Sequence, residues 1–461
     1  MNFFMRRGAS SGTSVMQAPD PQCEARVQKC IRAYVLFLIA LTVVAWSISA
    51  IRTYVLHEPH DRSTLLAPEP PFTDFTQLGY RVDHLGEVGM LTRTDLGEPY
   101  PYPTPSIYAY LIFVSTFHRH VLRDLVVYLL FLVLAFAVPT WMFARHLGRI
   151  SSKRWPRIAV WITLLTAFPV VIMIDRGNIE AVMWVMVLLG VVAYLRQRFV
   201  ISAVLWGLTA AMKVSPGILF ALFLRRGRYA MLFVGLGAAA GITLLSLVQV
   251  GPTLHQAVRD SLQSAPFLVD TFILARHYPW FDESIFGAVK EMLSVHAYLA
   301  NGHHRLPQVL PVTREALRIY DIVVPSAALL LYWFRLRCLP LLNQFIAYIV
   351  LFTILPQVSY EYKLVYLYLV WGVFLYFLLT DVVSGRVAIS HRLINIMLLS
   401  CAVIFSPLSY LRITHGVNIL AFGGQIKLGF LLLILVTVCR VPMPSSLFGD
   451  LQLAAPGDAT A

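Results

Sequence analysis

From about residue 33 to Arg440 the sequence alternates apolar runs with short basic loops. A backbone surrounded by lipid has no water to bond, so each crossing segment must satisfy its own N–H and C=O groups. Helices do this, and these runs are of helical length. Twelve candidate spans follow: 33–54, 123–145, 157–174, 178–195, 199–212, 214–224, 229–250, 319–336, 343–358, 362–380, 393–410 and 418–439. The expected fold class is all-α: a polytopic integral membrane protein with two large extracytoplasmic loops.

Composition agrees. Of 461 residues, 58% are hydrophobic and 13% charged, and the mean hydropathy is +0.70. An ordinary soluble domain is excluded. The formal net charge of +13 does not point to nucleic acid, because the cations cluster in short loops between spans. There they set orientation. With the N-terminus in the cytoplasm, every second loop carries arginines: Arg145, Arg149 and Arg154, then Arg196 and Arg198, then Arg225 to Arg228, Arg335, Arg386 and Arg440. The pattern holds throughout if the break near Lys213 faces outward. It predicts a cytoplasmic tail at 1–32, a membrane domain at 33–440 and a cytoplasmic tail at 441–461. Segments 55–122 and 251–318 then lie outside. No cleavable signal peptide is expected, since no A-x-A site follows the first span. None of the five cysteines lies in a long polar loop, so no disulfide framework is expected.

Lys213 stands inside an apolar run of 26 residues, 199–224. A charge at bilayer depth costs about 2.5–3.5 kcal/mol on insertion scales. Pro216 and Gly217 break the helix just after it. At about 1.5 Å per residue the two pieces are about 21 Å and about 16 Å long, short of a core of about 30 Å. Such breaks mark binding sites in membrane proteins. The alternative is a lysine snorkelling to the interface.

Other polar residues fall on the same outer face. Asp74, between aromatics in Phe72-Thr73-Asp74-Phe75, suits a general base; as a rival reading it caps a loop helix. Asp83 and Asp95 are competing acids. Asp175-Arg176-Gly177-Asn178 forms a tight turn, where a helix N-terminus welcomes an anion. Glu361 and Lys363 lie in Ser359-Tyr360-Glu361-Tyr362-Lys363 and are expected to pair with each other. Arg412 and His415 occupy a later outer turn. With Arg176, Lys213, Arg276 and His277 they form a cationic rim of the kind that holds phosphate. Residues 107–117 are apolar but too short to span, and an interfacial helix is expected. No phosphate loop, GxGxxG, HExxH or Cys/His pattern occurs, so neither cofactor nor metal is expected.

The segment from Gly177-Asn178 to Gly207-Leu208-Thr209-Ala210-Ala211-Met212-Lys213-Val214-Ser215-Pro216 resembles glycosyltransferase family 87, α-1,2-mannosyltransferase-like enzymes of the GT-C class. That family has a Gly-Asn turn, a helix and a "GLAAALKxxP" helix break. Its early Asp-Phe pair corresponds to Asp74-Phe75. Its Tyr/Pro-rich stretch corresponds to Tyr100-Pro101-Tyr102-Pro103-Thr104-Pro105, with Thr104 interrupting the usual Tyr-Pro-Pro. A late Ser-Trp-x-His-Tyr-like motif is echoed by Ser359-Tyr360-Glu361-Tyr362, with Tyr360 for Trp and Tyr362 where His is common.

The resemblance implies a GT-C-like membrane domain and an inverting transfer of a sugar from a polyprenyl-phosphate donor. The acceptor is then a lipid or glycan on the extracytoplasmic face of a bacterial inner membrane. Mannose is the first expectation and arabinose the second. In that reading Asp74 is the base. Lys213, Arg176 and Lys363 bind the donor phosphate, with Asp83, Asp175, Asn178, Glu361, Arg412 and His415 as further candidates. The partners are the donor, the acceptor and membrane lipids, with no nucleic acid. Two other classes fit the residues: a flippase for a polyprenyl-linked sugar, and a polysaccharide polymerase or ligase.

Overall fold

A computed structural model describes residues 20–55, 72, 74–75, 81–82, 84–92, 102–114, 121–274, 282–301, 306–408, 412–415, 418–421 and 423–449. Helices dominate them. In chain order they are α1 (Pro21–Ala50), α2 (Ile107–Val114), α3 (Val121–Ile150), α4 (Trp155–Thr166), α5 (Phe168–Arg176), α6 (Glu180–Leu195), α7 (Phe199–Met212), α8 (Ala221–Arg225) and α9 (Tyr229–Val250). There follow α10 (Leu254–Phe267), α11 (Ile285–Asn301), α12 (Leu306–Phe334), α13 (Leu341–Ile354), α14 (Leu367–Phe377), α15 (His391–Phe405) and α16 (Gly423–Arg440). Seven stretches are long and apolar enough to cross a membrane, and five shorter apolar helices lie between them, among the described residues. Each of the twelve overlaps one span read from the sequence.

The helices sort by burial. Every residue of α13 is buried. By contrast α9 and α12 bury little of their apolar surface and present Phe233, Leu236, Ile322 and Leu329 outward. Helices that are apolar on all sides but exposed on the periphery face lipid rather than water. Close packing near the centre depends on missing side chains. A Cβ on Gly207 would lie 2.3 Å from the carbonyl oxygen of Gly235, so α7 and α9 approach backbone to backbone. Small residues serve this purpose in membrane bundles.

Two expectations change. Helix α1 starts at Pro21, well before residue 33, because Asp20 caps it: its carboxylate accepts from the Gln22 N–H at 2.9 Å, and Pro21 fits the first helical turn. Helix α2 packs one face inside the protein and leaves Ile112 exposed. Ile107, Ala109, Tyr110 and Phe113 are buried, and the Phe113 ring meets Tyr128 of α3 at 5.3 Å between centroids. Its aromatic residues find an aromatic face inside the protein. The twelfth span starts later than expected. An antiparallel hairpin pairs Arg412–His415 with Asn418–Ala421, and α16 begins only at Gly423.

The polar connections gather at two ends of the bundle. At one end, Asp381 bonds Ser445 Oγ and the Ser446 N–H, both at 3.0 Å, and Arg386 at 3.3 Å. The Asp20 N–H reaches Val383 O at that end, and Arg226 reaches Phe448 O at 2.7 Å. At the other end lie Phe72, Asp74 and Phe75, the Gly177 turn, the Lys213 break and the Ser359 turn. The basic loops thus share the first end, and the acidic turns the second.

Candidate active site

The site grows from the turn between α5 and α6. Helix α5 ends because Gly177 adopts the left-handed conformation, with φ at 64°. The Gly177 N–H then reaches Ile174 O at 3.1 Å and the Asn178 N–H reaches Met173 O at 3.3 Å. These two bonds satisfy carbonyls that a helix end leaves open. Helix α6 starts at once, its Glu180 N–H held by Asn178 Oδ1 at 3.0 Å. A Cβ on residue 177 would sit 2.6 Å from Phe75 Cβ. Glycine is therefore needed twice, for its φ and for the approach of the Asp74-Phe75 segment. The Phe72 N–H adds a bond of 2.6 Å to Asp175 O.

That contact delivers Asp74 to the turn. Arg176 Nη2 donates to Asp74 Oδ1 at 2.9 Å, and Asn178 Nδ2 donates to Asp74 Oδ2 at 2.6 Å. Asn178 is fully buried and completely used. Its Nδ2 also lies 3.4 Å from the Tyr102 hydroxyl, and its carbonyl accepts from Tyr128 at 2.9 Å. An ionised carboxylate has about four acceptor positions, and two are occupied here. The side chain of Asp74 is 13% exposed, so part of it still reaches the surface.

Lys213 arrives from the other side. Helix α7 ends at Met212, Lys213 is extended (φ −148°, ψ 130°), and a tight turn over Ser215–Phe220 follows with Pro216 at its start. The expected break is present. The ammonium lies 5.0 Å from the centre of the Tyr102 ring and 5.2 Å from that of Tyr362. Such faces attract a cation. Its charge, however, is already partnered: Nζ is 2.5 Å from Glu180 Oε1. The Tyr366 hydroxyl donates to Glu180 Oε2 at 2.6 Å. Burial pushes the Tyr102 phenol above its ordinary value, against the pull of the Lys213 charge, so it stays a neutral donor and acceptor.

Asp74, Arg176, Asn178, Tyr102, Lys213 and Glu180 thus form one connected patch. Other expected residues stand elsewhere. Asp175 is buried and contributes its carbonyl to Phe72. Glu361 does not pair with Lys363. It forms a fully buried ion pair with Lys427 of α16, while Lys363 Nζ donates to Val358 O at 2.7 Å. The reason is directional: successive residues of the tight helical turn at Glu361–Tyr366 diverge, and each finds a partner on its own side. Lys363 keeps electrostatic contact with Lys213 and Glu180. The side chains of Arg412 and His415 lie outside the described residues, as do Asp83, Asp95, Arg276 and His277.

Glu180 is the member the motifs passed over. The rule that singled out Lys213 also covers it: an acid opening an otherwise apolar helix needs a partner. A second buried network adjoins the patch. Asp282 Oδ1 accepts from the N–H groups of Ser284 and Ser359 at 3.0 and 2.9 Å, and Oδ2 lies 3.3 Å from Lys290 Nζ. These bonds fasten the start of α11 to the Ser359 turn. Beside it, burial pushes the Glu283 carboxyl well above the usual carboxylate range, against the Lys427 charge.

The fold and the patch together define a polytopic membrane protein with a carboxylate and a lysine converging at one end of the bundle. The sequence model of glycosyltransferase family 87 matches residues 100–356, more than half of the chain, and the chain belongs to that family. It is therefore a membrane glycosyltransferase. No curated protein and no solved structure matches it. Among the described residues no group of His, Cys, Asp or Glu is arranged to hold a metal ion.

Proposed function

We propose that the enzyme moves a sugar, mannose in the first instance, from a polyprenyl-phosphate donor to a lipid or glycan acceptor, with inversion. The observation that carries this reading is the convergence of Asp74 and Lys213 through Asn178 and Tyr102. Asp74 takes the proton of the acceptor hydroxyl. The oxygen forms its bond to the anomeric carbon as the bond from that carbon to the phosphate oxygen breaks. The polyprenyl phosphate leaves as an anion against Lys213, with Arg176 and Lys363 nearby. General-base action contributes about 10²–10⁴-fold. Charge stabilisation of the leaving group is worth about 3–4 kcal/mol, by analogy with oxyanion donors. Positioning supplies the rest.

The distribution of basic loops supports placing both ends of the chain in the cytoplasm and the patch on the extracytoplasmic side of a bacterial inner membrane. A flippase is the second reading, favoured by the helix break at Lys213. Product formed in detergent, where there is no membrane to cross, separates the two. The direct test is Asp74→Asn assayed with a set of polyprenyl-phosphate sugars. Turnover is expected to fall about 100-fold or more. A variant that keeps more than about a tenth of wild-type turnover removes Asp74 from the role of base.

A further inference from the structure

The Lys213–Glu180 pair is unusual for a group meant to grip an anion. The side chains of Lys213 and Glu180 are 11% and 1% exposed, so neither charge is diluted by water. Glu180 is held from its second oxygen by Tyr366, itself fully buried on the turn that leads into α14. It also opens α6, where the partial positive charge of a helix N-terminus favours a carboxylate. Three features therefore fix one negative charge directly against the lysine. Arg176 is likewise matched by Asp74. Lys213, Arg176, Glu180 and Asp74 thus balance as two cations and two anions, with Lys363 a further cation within electrostatic reach of Lys213 and Glu180.

A site that only had to bind tightly would leave the lysine bare. A transfer from a phosphodiester has the opposite problem. Its product is a phosphate monoester, which carries more negative charge than the donor did. A bare buried cation would hold that product more firmly than the donor and slow its exit. Binding product more tightly than donor lowers turnover without helping the chemical step.

We infer that Glu180 is a positioning residue and counter-charge for Lys213: it holds the ammonium in place and limits how strongly the site grips a phosphate, so that the monoester product leaves. Lys213 has three N–H donors, of which one serves Glu180 and the others remain for a phosphate oxygen. Tyr366 sets the orientation of the carboxylate. The inference rests on the donor reading above.

The test is Glu180→Gln, which preserves shape and hydrogen bonding and removes the charge. The probe is farnesyl phosphate, a short prenyl monoester, titrated against full-length protein in detergent. One unit charge across about 6 Å at an effective dielectric of about 20 corresponds to roughly a hundredfold in affinity. Screening reduces this, so at least about tenfold tighter binding is expected, with a lower kcat and stronger product inhibition. Tyr366→Phe keeps the charge and should leave the affinity within about twofold, which separates charge from packing. Unchanged or weaker phosphate binding by Glu180→Gln overturns the inference. Should that variant not fold, Glu180→Asp draws the carboxylate away from Lys213. It should then tighten phosphate binding by a smaller factor, and no tightening overturns the inference. Wild-type protein that neither binds farnesyl phosphate nor turns over a polyprenyl-phosphate sugar overturns the donor reading and this inference with it. Wild-type binding with no change in the variants overturns the inference alone.

Discussion

Lys213 and Glu180 lie 33 positions apart in the chain and meet at 2.5 Å in a setting almost closed to water. Each cancels a charge that the other makes costly. Removing one partner of such a pair costs about 3–5 kcal/mol, since the survivor stays buried and unpaired. Lys213→Met is therefore expected to lower thermal stability as well as abolish donor use. Lys213→Met with Glu180→Gln should recover most of the stability and none of the activity. Melting in detergent, followed by turnover per folded molecule, checks both; a double variant no more stable than the single one contradicts the pairing.

Gly177 makes a second prediction. Gly177→Ala meets strain from its positive φ and a clash with Phe75. A loss of about 1–3 kcal/mol is expected, together with a fall in activity, because the segment that bears Asp74 must shift. Gly177→Asn tolerates the φ but keeps the Cβ. It should rescue stability only in part and leave activity low. Full activity in the asparagine variant would show that Phe75 does not set the position of Asp74.

The third prediction concerns pH. Glu291 of α11 is buried and its pKa is raised from 4.5 to about 7 by desolvation, against the Lys290 charge. The folded protein then holds a proton that the unfolded chain releases. Stability is fully present below about pH 4.5 and declines as pH rises through about 7, by up to about 3 kcal/mol. Glu291→Gln should flatten this slope. Melting temperatures across pH 4 to 8 measure it, and equal slopes in the two proteins refute the assignment.

Asp381 provides a control at the opposite end of the bundle. Its carboxylate is fully buried and accepts from Ser445, Ser446 and Arg386. Asp381→Ala strands those donors at a cost of about 1–3 kcal/mol or more. Turnover per folded molecule should not change. A specific loss of activity at equal folding would mean that the two ends are coupled.

Much of this molecule is legible in its sequence. Apolar length and arginine placement locate the spans, because lipid leaves a helix no other solution. Lys213 stands out because its cost can be estimated from its neighbours alone. Asp74 needs the family likeness, since three nearby acids look alike by spacing. The partners are harder. Glu361 finds Lys427 across 66 positions, and that choice depends on how α16 packs rather than on any local pattern. Glu180 is hidden for a different reason: an acid in the first turn of a helix looks like ordinary capping. The packing of α2 against Tyr128 is likewise hidden, because it depends on how α3 runs past it.

The first and last described residues, Asp20 and Gly449, belong to stretches that converge on one short segment, Asp381 to Val383. Epitopes inserted beside Asp20 and beside Gly449 would therefore share one fate in intact cells. Both would be shielded, or both would be labelled. A chain in which only one of these two epitopes reacts would be threaded through the membrane differently from this one.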